Sequence, residues 1–174
     1  CELGDFVRMR NWIISKLMWN PVSDERDLRK EFLTGYYGEK ATPFLLKYFD
    51  ILSSEAEASG QYIHCYQEDT GNWLDYESLR EITQLFDKAI SATEKEYGHD
   101  SDFVHRLLRD RMPLEHVWLK GYPKFKRFAE IKGDDFLGSA NQDEANKKFF
   151  DFFDQYQVTQ YREYQPGSFD TFKE

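Results

Sequence analysis

Cysteine is nearly missing from this sequence: Cys1 and Cys65 are the only two among 174 residues. Two cysteines cannot make a disulfide framework, and neither belongs to a ligand set spaced for zinc. Long apolar runs are missing too, and none approaches the ~18 residues that a membrane span needs. Basic residues are outnumbered, 23 against 32 acidic ones, which leaves a net charge of −9. A field of that sign repels nucleic acid and anionic lipid, so neither nucleic-acid binding nor membrane insertion is expected. Glycine-rich phosphate loops, a Ser-His-Asp order, internal repeats and low-complexity segments are also absent. No secretory leader is visible, because the first segment is charged and amphipathic.

Aromatic residues are plentiful, with 15 Phe, 11 Tyr and 4 Trp. They call for a thick core or an aromatic binding surface. Their spacing is helical. Phe6, Met9, Ile13 and Leu17 fall on one face of a helix over residues 6–19. Val7, Ile14 and Met18 widen that face on one side, and Trp12 and Trp19 extend it on the other. Asn20-Pro21 ends the helix, since proline disfavours helical geometry in the residue before it. Ser23 is a plausible N-cap for a second helix, with Asp24 and Glu25 near its positive end. Leu28, Phe32 and Tyr36 follow at spacings of four, and Gly38 is the expected stop.

Thr42-Pro43 opens a third helix that carries Phe44, Leu45, Tyr48, Phe49 and Leu52 and ends near Gly60. Residues 60–75 break the pattern. A long helix spans Tyr76 to Tyr97, with Leu79, Ile82, Phe86 and Ile90 on its face. Asp100 or Ser101 caps the next helix, which Pro113 should kink or split. Asn141 and Glu144 make a capping-box-like start to a last helix bearing Phe149, Phe152, Phe153 and Tyr156. The expectation is an all-α bundle of five or six helices with short links, forming a single helical domain over residues 1–174. Residues 161–174 are expected to form a partly loose tail.

Chemistry-bearing clusters are weak. His64 and Cys65 are adjacent, and adjacent side chains point apart rather than pairing as nucleophile and base. Asp69-Thr70-Gly71-Asn72 lacks the closing glutamate of a calcium loop and reads as a turn. His99-Asp100-Ser101-Asp102 reads as a helix cap. Carboxylates such as Asp24, Glu25, Asp27, Asp134 and Asp135 lie on helix starts and loops, not in the facing pair that glycoside hydrolysis needs. No catalytic, cofactor-binding or metal-binding residue is assigned, and no cofactor is expected. Trp73, Trp118 and Tyr122 are candidates for a platform on which sugar rings could stack.

The segment "DFVRMRNWIISKLMWNPVSDERDLRKEFLTGYYGEKATPFLLKYFDIL" carries three distinctive elements: a helix ending in "KLMWNP", the run "EFLTGYYG", and a helix with "LLKYFDIL". Over residues 5–58 it resembles a C-terminal helical region in large bacterial proteins of an uncharacterised family. There the region is coupled to a barrel related to α-glucuronidases and other glycoside hydrolases. The resemblance implies that the chain is a C-terminal piece of a larger, secreted or periplasmic polysaccharide-degrading protein. It also implies an upstream catalytic domain in cis as partner, with polysaccharide as a second one, and no catalysis by this chain alone. An edge around Trp12, Trp19, Asn20, Tyr36 and Tyr37 is the candidate surface toward that barrel, unless Trp19 and Tyr36 simply fill the core. The rival expectations are a carbohydrate-binding module that uses exposed aromatics and a helical protein-interaction domain. Cys1 stands where a lipoprotein carries its lipidated cysteine, but such chains continue into a polar linker, whereas here a helix begins by Phe6.

Overall fold

The computed structural model describes residues 4–63, 70 and 73–158. The expectations for Cys1, for the His64-Cys65 pair, for Asp69, Gly71 and Asn72 and for the tail at 161–174 fall outside these residues. Among the described residues the fold is all-α. Its helices are α1 Val7–Trp19, α2 Glu25–Tyr37, α3 Thr42–Ser59, α4 Tyr76–Tyr97, α5 Asp102–Asp110, α6 Met112–Lys120, α7 Tyr122–Lys132 and α8 Gln142–Gln155.

This is more helices than the five or six expected, and the surplus has one cause. Residues 102–132 form three short helices joined by Arg111 and Gly121 alone. Pro113 and Pro123 each stand in the first turn after a junction. A proline there removes an N–H that the helix end leaves unpaired anyway, but it cannot continue the preceding helix. The chain therefore turns at each proline and starts again.

The helix ends follow local chemistry. Asp24, and not Ser23, caps α2, its carboxylate accepting from the N–H groups of Arg26 at 2.8 Å and Asp27 at 3.1 Å. Asp75, Ser101 and Asn141 cap α4, α5 and α8 in the same way. Gly38 ends α2 at φ 90°, where a Cβ would stand 2.8 Å from the Tyr97 ring, so only glycine fits.

Helix α4 is central and packs against α3 on one side and α5 on the other, while α2 touches α1, α3 and α5. The main core runs from Phe6, Met9 and Ile13 through Leu33, Tyr37, Leu45 and Phe86 to Trp118 and Phe125. A second, smaller cluster of Met112, Phe149, Phe153 and Val158 fastens α8 to α6. Buried hydroxyls are used locally: Thr83 donates to the Leu79 carbonyl at 2.7 Å and accepts from the Trp118 indole at 2.8 Å.

Phe6 sets the start of α1. Its ring is fully buried and lies 4.7 Å from Phe49, 5.6 Å from Tyr37, 5.7 Å from Tyr48 and 5.9 Å from Phe86. To place it there the backbone adopts a left-handed conformation, φ 45° and ψ 40°, which costs a non-glycine residue roughly 1–2 kcal/mol. The aromatic contacts outweigh that cost. Phe6→Ala should lower the unfolding free energy by about 3–5 kcal/mol in urea titration. A loss below 1 kcal/mol would show that the ring does not anchor α1.

Candidate functional site

The break after α1 shapes the most unusual surface. Asn20 leaves the helix with φ −136°, its N–H still bonded to the Lys16 carbonyl at 2.8 Å. Ser23 N–H then donates to the Asn20 carbonyl at 3.2 Å, closing a turn around Pro21 and Val22. Four large apolar side chains stand in water there: Ile14 is 55% exposed, Met18 83%, Trp19 91% and Val22 88%. Single exposed apolar residues are ordinary, but four within residues 14–22 are the kind of patch that marks an interaction site.

The five residues of the expected edge separate into three groups. Trp19 and Asn20 are exposed. Trp12 and Tyr36 are half-buried. The Trp12 ring packs 5.5 Å from Phe32 with the Lys16 ammonium 4.8 Å away, and Tyr36 stacks on Phe32 at 4.9 Å under the Arg106 guanidinium. Tyr37 is fully enclosed, so it cannot face a partner. Consecutive residues at a helix end point about 100° apart, and the core takes one of the two tyrosines. Ile14, Met18 and Val22 complete the exposed group instead. For Ile14 and Met18 the sequence signal was the apolar width of α1 beyond one buried stripe, while Val22 lies in the turn that follows.

The three residues considered for sugar stacking do not form a platform. Trp118 is 3% exposed and Tyr122 6%. Trp118 is held by its bond to Thr83, and Tyr122 donates its hydroxyl to the Ser139 carbonyl at 2.9 Å. Both line a hollow between α6 and α8 with room for about one water, too small for a sugar ring. Trp73 is half-buried against the main core. Trp118 lies on α6 and Tyr122 opens α7, whereas Trp73 precedes α4.

The second unusual feature is a pair of acids under the start of α1, Asp110 buried and Asp5 half-buried. Asp110 of α5 accepts a hydrogen bond from the Tyr37 hydroxyl at 2.6 Å, and Arg8 of α1 lies 3.6 Å away. Asp5 accepts from the Tyr48 hydroxyl of α3 at 3.2 Å. Burial is the main cause that raises the Asp5 carboxyl to about 6, against the Tyr48 bond and Arg10, with Asp110 adding to the rise. Burial also raises Asp110, against the Tyr37 bond and the nearby Arg8 and Arg109. Sequence reasoning overlooked both. The available signals were Asp110 at the three-residue spacing of Val104 and Leu107, and Asp5 beside the deeply inserted Phe6. His116 is a further titratable group, half-buried. It stacks on Phe149 at 5.7 Å, and burial followed by Lys120 lowers it to about 4, so it is neutral at physiological pH. Among the described residues, no group of three or more His, Cys, Asp or Glu could hold a metal ion, and no helix is long and apolar enough to cross a membrane.

Against this geometry, one protein-family model matches the chain. It is described as a domain of unknown function, DUF4838, and it covers residues 2–50. No curated protein and no solved structure matches the chain. The matched segment holds α1, α2 and the first half of α3, and therefore the whole exposed patch together with Asp5, Arg8, Tyr37 and Tyr48.

The exposure of Trp19 yields a direct comparison. Trp19→Ala should change the unfolding free energy of this chain by no more than about 0.5 kcal/mol. Trp118→Ala, which empties a core position, should cost about 3–5 kcal/mol in the same denaturant titration. A multi-kcal/mol loss for Trp19→Ala would mean that the ring is covered within this chain.

Proposed function

We propose that this chain is a non-catalytic helical accessory domain that packs, through the exposed end of α1, against a larger neighbouring domain of the same polypeptide. The observation that carries the reading is the group Ile14, Met18, Trp19 and Val22, which this fold leaves in water. Docking surfaces concentrate their energy in central aromatic anchors, and Trp is the residue most enriched in that role. Trp19 ends a rigid helix, and Pro21 restricts the turn behind it, so the surface is pre-shaped for a partner. The family match over residues 2–50 falls on this corner of the molecule.

The nature of the neighbour follows from the sequence resemblance: a catalytic barrel of a polysaccharide-degrading glycoside hydrolase, in a secreted or periplasmic setting. The acid and base of such an enzyme would then lie on the barrel. The described part of this chain offers no pair of carboxylates facing one another across a cleft. Direct sugar binding has less support, since Trp118 and Tyr122 are core residues.

Oxidative footprinting tests the docking. Met18 and Trp19 should be oxidised rapidly in the isolated 174-residue chain. In the natural longer polypeptide the same two residues should be protected at least tenfold, with exposed Tyr62 as the internal reference. Equal labelling in both, or a natural product that ends with these 174 residues, overturns the reading.

A further inference from the structure

Helix α1 carries a second stripe besides the one it buries. Val7, Asn11, Ile14 and Met18 follow one another at spacings of four, three and four. A mean spacing of about 3.5 residues is the repeat by which one helix keeps a single seam turned toward another. At 100° per residue this stripe lies roughly 150° around α1 from the buried pair Met9 and Ile13. Asn11, Ile14 and Met18 are exposed, and Val7 is half-buried.

The chemistry of the stripe suits close packing. None of its four residues is charged, in a chain where 32% of the residues are. Ser15, exposed beside Ile14, donates its hydroxyl back to the Asn11 carbonyl at 2.8 Å. A small side chain whose donor is already used therefore borders the seam. It leaves room for a second backbone at the interaxial distance of packed helices, about 8–10 Å. Charge sits on the flanks, and it has one sign. Helix α1 holds Arg8, Arg10 and Lys16 and no acidic residue, although the whole chain has a net charge of −9. Arg8 leans inward to Asp110 at 3.6 Å and Lys16 leans toward Glu31 at 3.8 Å, while Arg10 stands exposed beside the stripe.

We infer that the neighbouring domain covers this stripe with an amphipathic α-helix laid along α1, whose own flanking residues are acidic. The inference rests on the docking proposed above and names the element that docks. Flanking charges decide which helices pair, and an acidic flank complements Arg10. A second copy of this chain is the wrong partner, because α1 against α1 would set basic side chains against one another. From Val7 to Met18 the stripe runs about 17 Å, three helical turns, so the covering helix presents a face of that length. Trp19 and Val22, just past the stripe, carry the contact on to the turn.

Cysteine accessibility reads this geometry. Asn11→Cys, Ile14→Cys, Lys16→Cys and Met18→Cys are made one at a time, with Ser91→Cys on α4 as the reference and with Cys1→Ser and Cys65→Ser throughout. Each is labelled with a maleimide in the 174-residue chain and in the natural longer polypeptide, and read by peptide mass spectrometry. Positions 11, 14 and 18 should be protected about tenfold or more in the longer polypeptide, with positions 16 and 91 unchanged. Protection at 18 alone keeps the docking and overturns the helix. Protection at every α1 position tested, 16 included, means that a loop or strand wraps α1, and it also overturns the helix. No protection anywhere overturns the docking and this inference together. Protection already present in the 174-residue chain, with a dimer in light scattering, makes a second copy the partner and overturns the inference. The charge is tested separately. In the longer polypeptide Arg10→Glu should cut the protection at position 14 about threefold or more, and Arg10→Lys should keep it. Equal protection in both variants would show that the covering flank is not acidic.

Discussion

The first half of this molecule depends on the insertion of Phe6. One ring at the start of α1 touches aromatic residues of α2, α3 and α4. Edge-to-face and tilted contacts of this kind add roughly 0.5–1.5 kcal/mol each beyond the area they bury. That gain supports two features that are unfavourable in isolation. One is the left-handed backbone at Phe6, and the other is the placement of Asp5 beside Tyr48 with no ion pair among the described residues. A strong apolar anchor has thus fixed the position of a polar neighbour.

The fold was largely legible in the sequence because its signals were local. Apolar residues at helical spacing, Asn20-Pro21, Gly38 and Gly60 each act within a few residues, and the first four helices lie where those signals place them. The split of residues 102–132 was harder to see. Pro113 showed a break, but whether the chain kinks or restarts depends on what the two halves pack against. Here α6 turns to meet α8, a contact between segments about 30 residues apart that no local pattern encodes.

The candidate sites were less legible for the same reason. Tyr36 and Tyr37 are chemically alike and adjacent, yet one stacks under Arg106 and the other donates to Asp110, 73 residues away. Trp19 and Trp118 carry the same side chain, yet one stands in water and the other in the core. Spacing shows which residues can share a face. Only the packing of distant helices decides which faces are covered, and the acid cluster exists solely as such a meeting of α1, α2, α3 and α5.

The two unusual features lie at opposite ends of one helix. Helix α1 has 13 residues, which makes it a rod about 20 Å long. Its start is clamped by Phe6 and the acids, and its far end carries Trp19. Burying a Val, Leu, Ile, Met or Phe side chain stabilises a protein by about 1.5–3 kcal/mol. Leaving Ile14, Met18, Trp19 and Val22 in water therefore forgoes roughly 5–10 kcal/mol, comparable to the whole stability of many domains. Nothing about helix formation demands that loss, since polar residues at these positions would serve α1 equally well. On the docking proposal, a neighbouring surface covers the patch and recovers that stabilisation. The clamp at the opposite end would then hold the rod at a fixed angle, so that Trp19 meets that surface already aligned.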